Sequence, residues 1–297
     1  MDFNALIYLI DDPDKTVREE VTNKILQLGD TILPSLKQSL ENLPFDSPEG
    51  IERLNNLIRE IELSKVSDNI VQWASSPEDL LKGIWLTNLT SGSDIDFNEL
   101  NKEIERIKLE VWLDLRNDLT ALEKVNILNH VFFKRFNFKG DNSDYHNPDN
   151  SFLNRVIKKK KGNPISLAIL YSIVAQRLFI PIYGVNLPQH FILAYLDIPD
   201  LPSPNADSKG LMIDAPQGYD VLFYINPFNE GSVFGKKHVE IFLQQINIDN
   251  VAPEQFYPCS NRDIVIRVLR NLYNSYAMRN QEFRVKQYEK LLNLLNA

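Results

Sequence analysis

The sequence predicts an α+β protein, mainly helical, in which a buried central helix packs on a small antiparallel sheet between helical repeat-like flanks. Three observations carry this. The stretch Lys161-Gly162-Asn163-Pro164-Ile165-Ser166-Leu167-Ala168-Ile169-Leu170-Tyr171 opens a helix that is apolar nearly all round, as a helix inside a domain is. Between residues 182 and 226 the pattern changes to short strand-like runs separated by Pro and Gly turns. The segments before and after keep helical periodicity, and helices gathered on either side of one sheet define the class.

In chain order, residues 5–40 read as short antiparallel helices. Val17, Val21, Ile25 and Leu28 form one face of the clearest of them, and Gly29 supplies its stop. With Asp11-Asp12-Pro13-Asp14 before it and Leu33-Pro34-Ser35-Leu36 after it, this segment resembles a HEAT-type unit as much as an ordinary helical hairpin. After a turn at Pro44-Phe45-Asp46, Ser47-Pro48-Glu49 opens a helix with Ile51, Leu54, Ile58 and Ile61 on its apolar stripe. A polar turn at residues 64–67 marks a boundary, giving a first segment 1–65.

Residues 66–136 form a helical subdomain, with starts at Ser76-Pro77-Glu78 and at the capping-box pattern Thr120-Ala121-Leu122-Glu123. Trp73, Trp85 and Trp112 are expected to fill its core, and His130 to be a structural histidine. The Asp-, Asn- and Gly-rich loop 137–150 opens the sheet-bearing core, 137–250. His146 in that loop has no second ligand at metal spacing, so no metal and no cofactor is assigned. The strands are expected at residues 182–186, 190–196, 211–214 and 221–226, with an exposed loop at 199–210. Helices resume at about 236–246, and 251–297 ends in a helical hairpin of tetratricopeptide type.

Composition excludes several functions. The chain has 297 residues, 43% of them hydrophobic, enough for a substantial core. A formal charge of −8 argues against a nucleic-acid partner, because binding a phosphate backbone calls for a basic face. The run from Lys158 to Lys161 reads as the solvated end of a helix. Cys259 is the only cysteine, which leaves no intrachain disulfide or multi-cysteine metal site and points to a reducing compartment. No apolar run approaches the roughly 18 residues that span a bilayer, and Met1-Asp2-Phe3-Asn4 does not begin a signal peptide. A cytoplasmic protein with no membrane partner is expected.

The chemistry-bearing residues fall in a telling order. A helix N-terminus, with its free N–H groups and partial positive charge, lies at Gly162, Asn163, Pro164 and Ser166. Gly162 is expected to permit an unusual backbone turn, Asn163 to cap, and Pro164 to occupy the first helical position. A histidine begins a strand at His190 and an amide ends a later one at Asn226. This is the order nucleophile, base, orienter, used by enzymes in which a cysteine at a helix N-terminus is ionised by the dipole and a histidine.

Four stretches carry a resemblance: Asp144-Tyr145-His146-Asn147-Pro148-Asp149-Asn150-Ser151-Phe152-Leu153-Asn154-Arg155-Val156; Lys161-Gly162-Asn163-Pro164-Ile165-Ser166-Leu167; Gly184-Val185-Asn186-Leu187-Pro188-Gln189-His190-Phe191; and Ile225-Asn226-Pro227-Phe228-Asn229-Glu230-Gly231. In order, spacing and wording the chain resembles the SirB type of transglutaminase-like protein, found widely in bacteria and within a eukaryotic F-box protein. The resemblance covers roughly residue 67 to the C-terminus, including a short tetratricopeptide-like tail. It implies a transglutaminase- or papain-like core in residues 66–250. In cysteine-bearing members the nucleophile follows Gly by two residues, which here is Pro164, a residue incapable of attack. His190 matches the family histidine, and Asn226 stands where the usual pattern has Asp. The Cys-less mouth resembles that of this subgroup as a whole.

These features lead to the expectation of a catalytically inactive transglutaminase-like domain that binds a protein or peptide through a cleft lined by Gly162, Asn163, Ser166, His190 and Asn226. The alternative is an amide or ester hydrolase, or acyl transferase, in which Ser166 replaces the missing thiol and uses His190 and Asn226. Ser166 lies about 200° around the helix from Pro164, and this alternative requires its hydroxyl about 3 Å from the His190 ring.

Overall fold

A computed structural model describes residues 3–42, 47–92, 95–202, 214–248 and 252–296. The chain divides into two compact units, Met1–Ile70 and Val71–Ala297. The first consists of helices α1 (Phe3–Tyr8), α2 (Lys15–Leu28), α3 (Leu33–Asn42) and most of α4 (Pro48–Ala74). Asp14 caps α2 by accepting from Thr16 N–H at 2.8 Å, and Gly29 ends it at φ 53°, a conformation that costs a residue with a Cβ. The apolar faces meet in a core that includes Ile7, Ile10, Ile25, Ile32, Leu36 and Leu54. Residues 64–67, expected as a turn, are helical: the Ser67 hydroxyl bonds back to Leu63 O at 2.7 Å, so the serine is accommodated inside α4. The expected turn at Pro44-Phe45-Asp46 lies outside the described residues.

The second unit contains the sheet. Helices α5 (Leu80–Leu89), α6 (Phe97–Trp112) and α7 (Ala121–Asn129) lead in, α5 capped by Asp79 a little beyond the expected start and α7 by the reciprocal Thr120–Glu123 box. Trp73 is buried, and Trp85 packs edge-on against Phe97 at 5.5 Å, but Trp112 at the end of α6 is exposed. His130 is also exposed, at the start of a π-helical turn, His130–Arg135. A two-residue parallel pair, β1 (Lys139–Gly140) with β2 (Lys161–Gly162), brackets a 3-10 turn (Pro148–Ser151) and helix α8 (Leu153–Lys159). Then come α9 (Pro164–Gln176), β3 (Ile182–Leu187), β4 (His190–Leu196), β5 (Val221–Asn226), β6 (Ser232–Phe234) and α10 (Lys236–Gln245). The hairpin α11 (Asn261–Met278) and α12 (Glu282–Asn296) closes the chain, with α11 packed on α5 and on the 3-10 turn. Residues 211–213 of the expected strand 211–214 and most of the loop at 199–210 fall outside the described residues, and Asp214 lies in a bend.

The protein is therefore mainly helical with a small antiparallel sheet of order β3-β4-β5-β6, the α+β arrangement expected of a transglutaminase-like fold. Every residue of α9 is buried, each large apolar side chain contributing about 1.5–3 kcal/mol. Strand alternation sorts the sheet's side chains. Tyr183, Val185, Leu187, Ile192, Ala194, Leu196 and Tyr224 share one face with Val239 and Leu243 of α10. The other face carries Gly184 and Phe191 toward Ile264 of α11, and α9 packs on β3 and β4. A polar chain crosses this core: Tyr171 donates to Asn129 Oδ1 at 2.9 Å, and Asn129 Nδ2 donates to Gly231 O at 2.9 Å. Gly231 has φ 72°, and a Cβ there would lie 1.8 Å from Asn129 Oδ1, so glycine alone fits the turn that follows β5.

Candidate functional site

The mouth of α9 is closed by its own side chains. Asn163 Oδ1 accepts from Ser166 N–H at 3.0 Å, and Ser166 Oγ accepts from Asn163 N–H at 3.1 Å, a reciprocal cap. The Ser166 hydroxyl donates back to Asn163 O at 3.2 Å, and the side chain is 2% exposed. Asn163 Nδ2 donates to Ser151 Oγ at 2.8 Å, tying the cap to the 3-10 turn before α8. Pro164 occupies the first helical position and offers no polar atom but its carbonyl. Gly162 does not take a left-handed φ; it is needed for room, since a Cβ would lie 2.6 Å from Ser166 Oγ and 3.0 Å from Val156.

His190 and Asn226 stand elsewhere. His190 pairs with Leu187 across the β3–β4 hairpin, which by alternation puts its side chain on the α10 face, and its ring centroid lies 4.9 Å from that of Phe242. Burial, and then the nearby Arg267 charge, hold its pKa below the usual histidine value, so the ring is neutral at pH 7. Asn226 Oδ1 accepts from Phe228 N–H at 3.1 Å, capping the 3-10 turn Pro227–Asn229. Among the described residues, no hydrogen bond joins any two of Ser166, His190 and Asn226. Nor does any group of three His, Cys, Asp or Glu side chains there have metal-site geometry.

The chain's one thiol is remote from the α9 mouth. Cys259 donates to Gly184 O at 3.3 Å beside an open cleft of about 460 Å³ whose walls include Asn186, Gln255, Tyr257 and Asp263. Burial, reinforced by Asp263, pushes its pKa up to about 12, the opposite of an activated cysteine.

Three further residues, Arg267, Tyr145 and Phe228, are not among the site residues the sequence predicts. Arg267 of α11 donates from Nη1 to Asn186 Oδ1 at 2.8 Å and to Leu187 O at 3.3 Å. Tyr145, just before the turn that closes α9, stacks edge-on with Phe228 at 5.9 Å. Burial raises the Tyr145 pKa and lowers that of Arg267, and each charge acts on the other group. Tyr145 and Phe228 lie inside the motif stretches. The Arg267 contact with Asn186 spans 81 residues and leaves no local signature.

Comparison with known proteins accords with this architecture. A family model described as the transglutaminase-like superfamily matches residues 98–270, more than half of the chain. The chain is 29% identical over 163 residues to a UPF0162 protein of Xylella fastidiosa strain 9a5c, covering 53% of this chain and 50% of that one. It is 25% identical over 220 residues to UPF0162 protein YchA of Escherichia coli K12, covering 72% of each. Mouse F-box only protein 21 is 30% identical over 121 residues, 41% of this chain but only 17% of its own. The chain thus spans about half the length of the first curated relatives it matches, and no solved structure matches it. With a family model covering most of the sheet-bearing unit, the chain belongs to the transglutaminase-like superfamily.

Proposed function

We propose that this chain is a non-catalytic, SirB-type transglutaminase-like domain whose cleft binds a protein or peptide partner. One observation carries the reading: the position where such a fold presents its nucleophile is Pro164, and the nearest hydroxyl, Ser166, is spent in a buried reciprocal cap. A serine nucleophile needs a base within about 3 Å and a path to substrate. The Ser166 hydroxyl instead donates to Asn163 O, while the neutral His190 ring packs on Phe242 of the opposite sheet face. The helical flanks favour a binding role, since stacked helical hairpins present extended surfaces to partners. Expected residence is the cytoplasm.

The test compares wild type with Ser166→Ala and His190→Ala, using a broad fluorophosphonate probe and a panel of activated esters, beside fluorescence anisotropy with dye-labelled hexapeptide pools. Peptide binding without labelling or turnover is the expected result. Labelling or ester turnover that disappears in both variants would instead make this a serine hydrolase working in the same cleft.

A further inference from the structure

We infer that Arg267 forms a carboxylate-binding subsite, so that the peptide this domain takes is recognised by a carboxylate. The inference rests on the binding reading above and names the chemistry of the partner.

Other arginines of this unit meet a carboxylate or engage both terminal nitrogens. In the same unit Arg177 meets Glu105 at 2.6 Å, Arg279 meets Asp144 at 2.9 Å, and Arg155 meets Asp149. Arg284 has no carboxylate, but Nη1 reaches Thr90 O and Gln287 Oε1, and Nη2 reaches Ser91 O. Arg267 differs from all four. It is half-buried, it pairs with no carboxylate among the described residues, and Nη1 alone is engaged, by two neutral oxygens. Those two bonds fix the guanidinium plane and leave Nη2 and Nε, the fork that grips a carboxylate with two parallel hydrogen bonds, without a partner there.

The surroundings suit such a ligand. The Tyr145 side chain is 44% exposed on a ring held by Phe228 and His146, and its hydroxyl has no hydrogen-bond partner among the described residues. It sits close enough to Arg267 for each group's charge to act on the other. The aromatic rings beside it would lower the local dielectric and strengthen a charge-assisted bond. The Arg270 charge, further along α11, adds to that of Arg267, which favours an anionic ligand although the chain as a whole carries −8. A half-buried cation without a counter-charge is costly, and an incoming carboxylate would offset that cost. Arg267 is anchored to the β3–β4 hairpin, and Tyr145 precedes the turn whose Ser151 ties down Asn163. Arg267 is therefore held by the β3–β4 hairpin and makes no bond to the sealed mouth of α9.

The experiment uses the full chain and three dye-labelled hexapeptide pools without Lys or Arg. One has neutral side chains and a free C-terminal carboxylate. The second has one Glu per peptide and an amidated C-terminus, and the third is neutral and amidated. Anisotropy is expected to show binding of the first or the second pool at least about tenfold tighter than the third, and which of the two identifies the source of the carboxylate. Arg267→Gln should remove that difference, while Arg116→Gln, exposed and paired with Asp118, should leave it. The comparison of pools in wild type needs no variant, so a misfolded Arg267→Gln does not spoil the test. If all three pools bind alike, the subsite is overturned and the binding reading survives. If none binds, both fall.

Discussion

The mouth of α9 and the rim at Arg267 are built from similar residue types and end in opposite states. At the mouth, Asn163, Ser166 and Ser151 satisfy one another, and the hydroxyl of Ser166 is 2% exposed. At the rim, Asn186 and Tyr145 accompany an arginine with half its donors unspent. A buried polar group must find a partner or cost about 1–3 kcal/mol, and the groups at this helix mouth find one another. A half-exposed group keeps water as a fallback and can remain available for a ligand. On the proposed reading the mouth is structural and the Arg267 region is where a partner is recognised, although the fold's chemistry would have been sought at the mouth.

The largest expected effect tests that division directly. Asn163→Ala removes the acceptor for Ser166 N–H and the donor to Ser151, both buried, and should cost about 2–4 kcal/mol of stability, combining a lost cap with a stranded hydroxyl. Arg267→Gln should cost about 1 kcal/mol or less, because it removes two hydrogen bonds from a half-buried side chain and the glutamine amide can still donate. Urea unfolding of the sheet-bearing unit measures both. Equal losses would mean that the rim is as structural as the mouth.

A smaller effect concerns His190. Its pKa lies below the ordinary value near 6.5 because the folded protein buries it near Arg267, so the unfolded chain takes up a proton first as pH falls. The sign follows from linkage. Where the unfolded state binds more protons, stability rises with pH, so the His190 contribution is complete above about pH 6.5 and is lost progressively below it. His190→Phe, which keeps a ring against Phe242, should flatten the urea midpoint of the sheet-bearing unit below about pH 6.5 relative to wild type. An unchanged pH profile would show that Arg267 and burial do not act on this ring in the way the structure indicates.

These two regions also show what the sequence can reveal. The mouth was readable because caps are local: Asn163, Pro164 and Ser166 lie within four residues and their chemistry names a helix start. Even there, the reason for Gly162 was not readable, since the crowding by Ser166 and Val156 is tertiary and the backbone itself is ordinary. The strands of 182–226 announce themselves through β-branched and aromatic runs, whereas β1, β2 and β6 are two or three residues long and have no period to detect. The serines at 64 and 67 suggest a turn, yet α4 runs through them because a side chain that bonds to the preceding turn need not break a helix. The Arg267 rim depends on pairings between α11 and a hairpin some eighty residues earlier, which no local pattern encodes.

The smallest expected effect sharpens the comparison most. Asn226 stands where the family's usual pattern has Asp, and Asn226→Asp would restore a carboxylate to the orienting position. Oδ1 already accepts from Phe228 N–H at 3.1 Å, a bond that an aspartate keeps and strengthens slightly, so stability should change by no more than about 0.5 kcal/mol. If the loss of catalysis lay in a weakened triad, this variant would begin to hydrolyse activated esters. If it lies at the mouth, a better orienter changes nothing, because His190 has no nucleophile to serve and faces α10 rather than α9. Ester turnover by Asn226→Asp at the background rate, with its urea midpoint unmoved, would favour the proposal that the sealed cap around Ser166, and not the orienting residue, keeps this domain from cleaving.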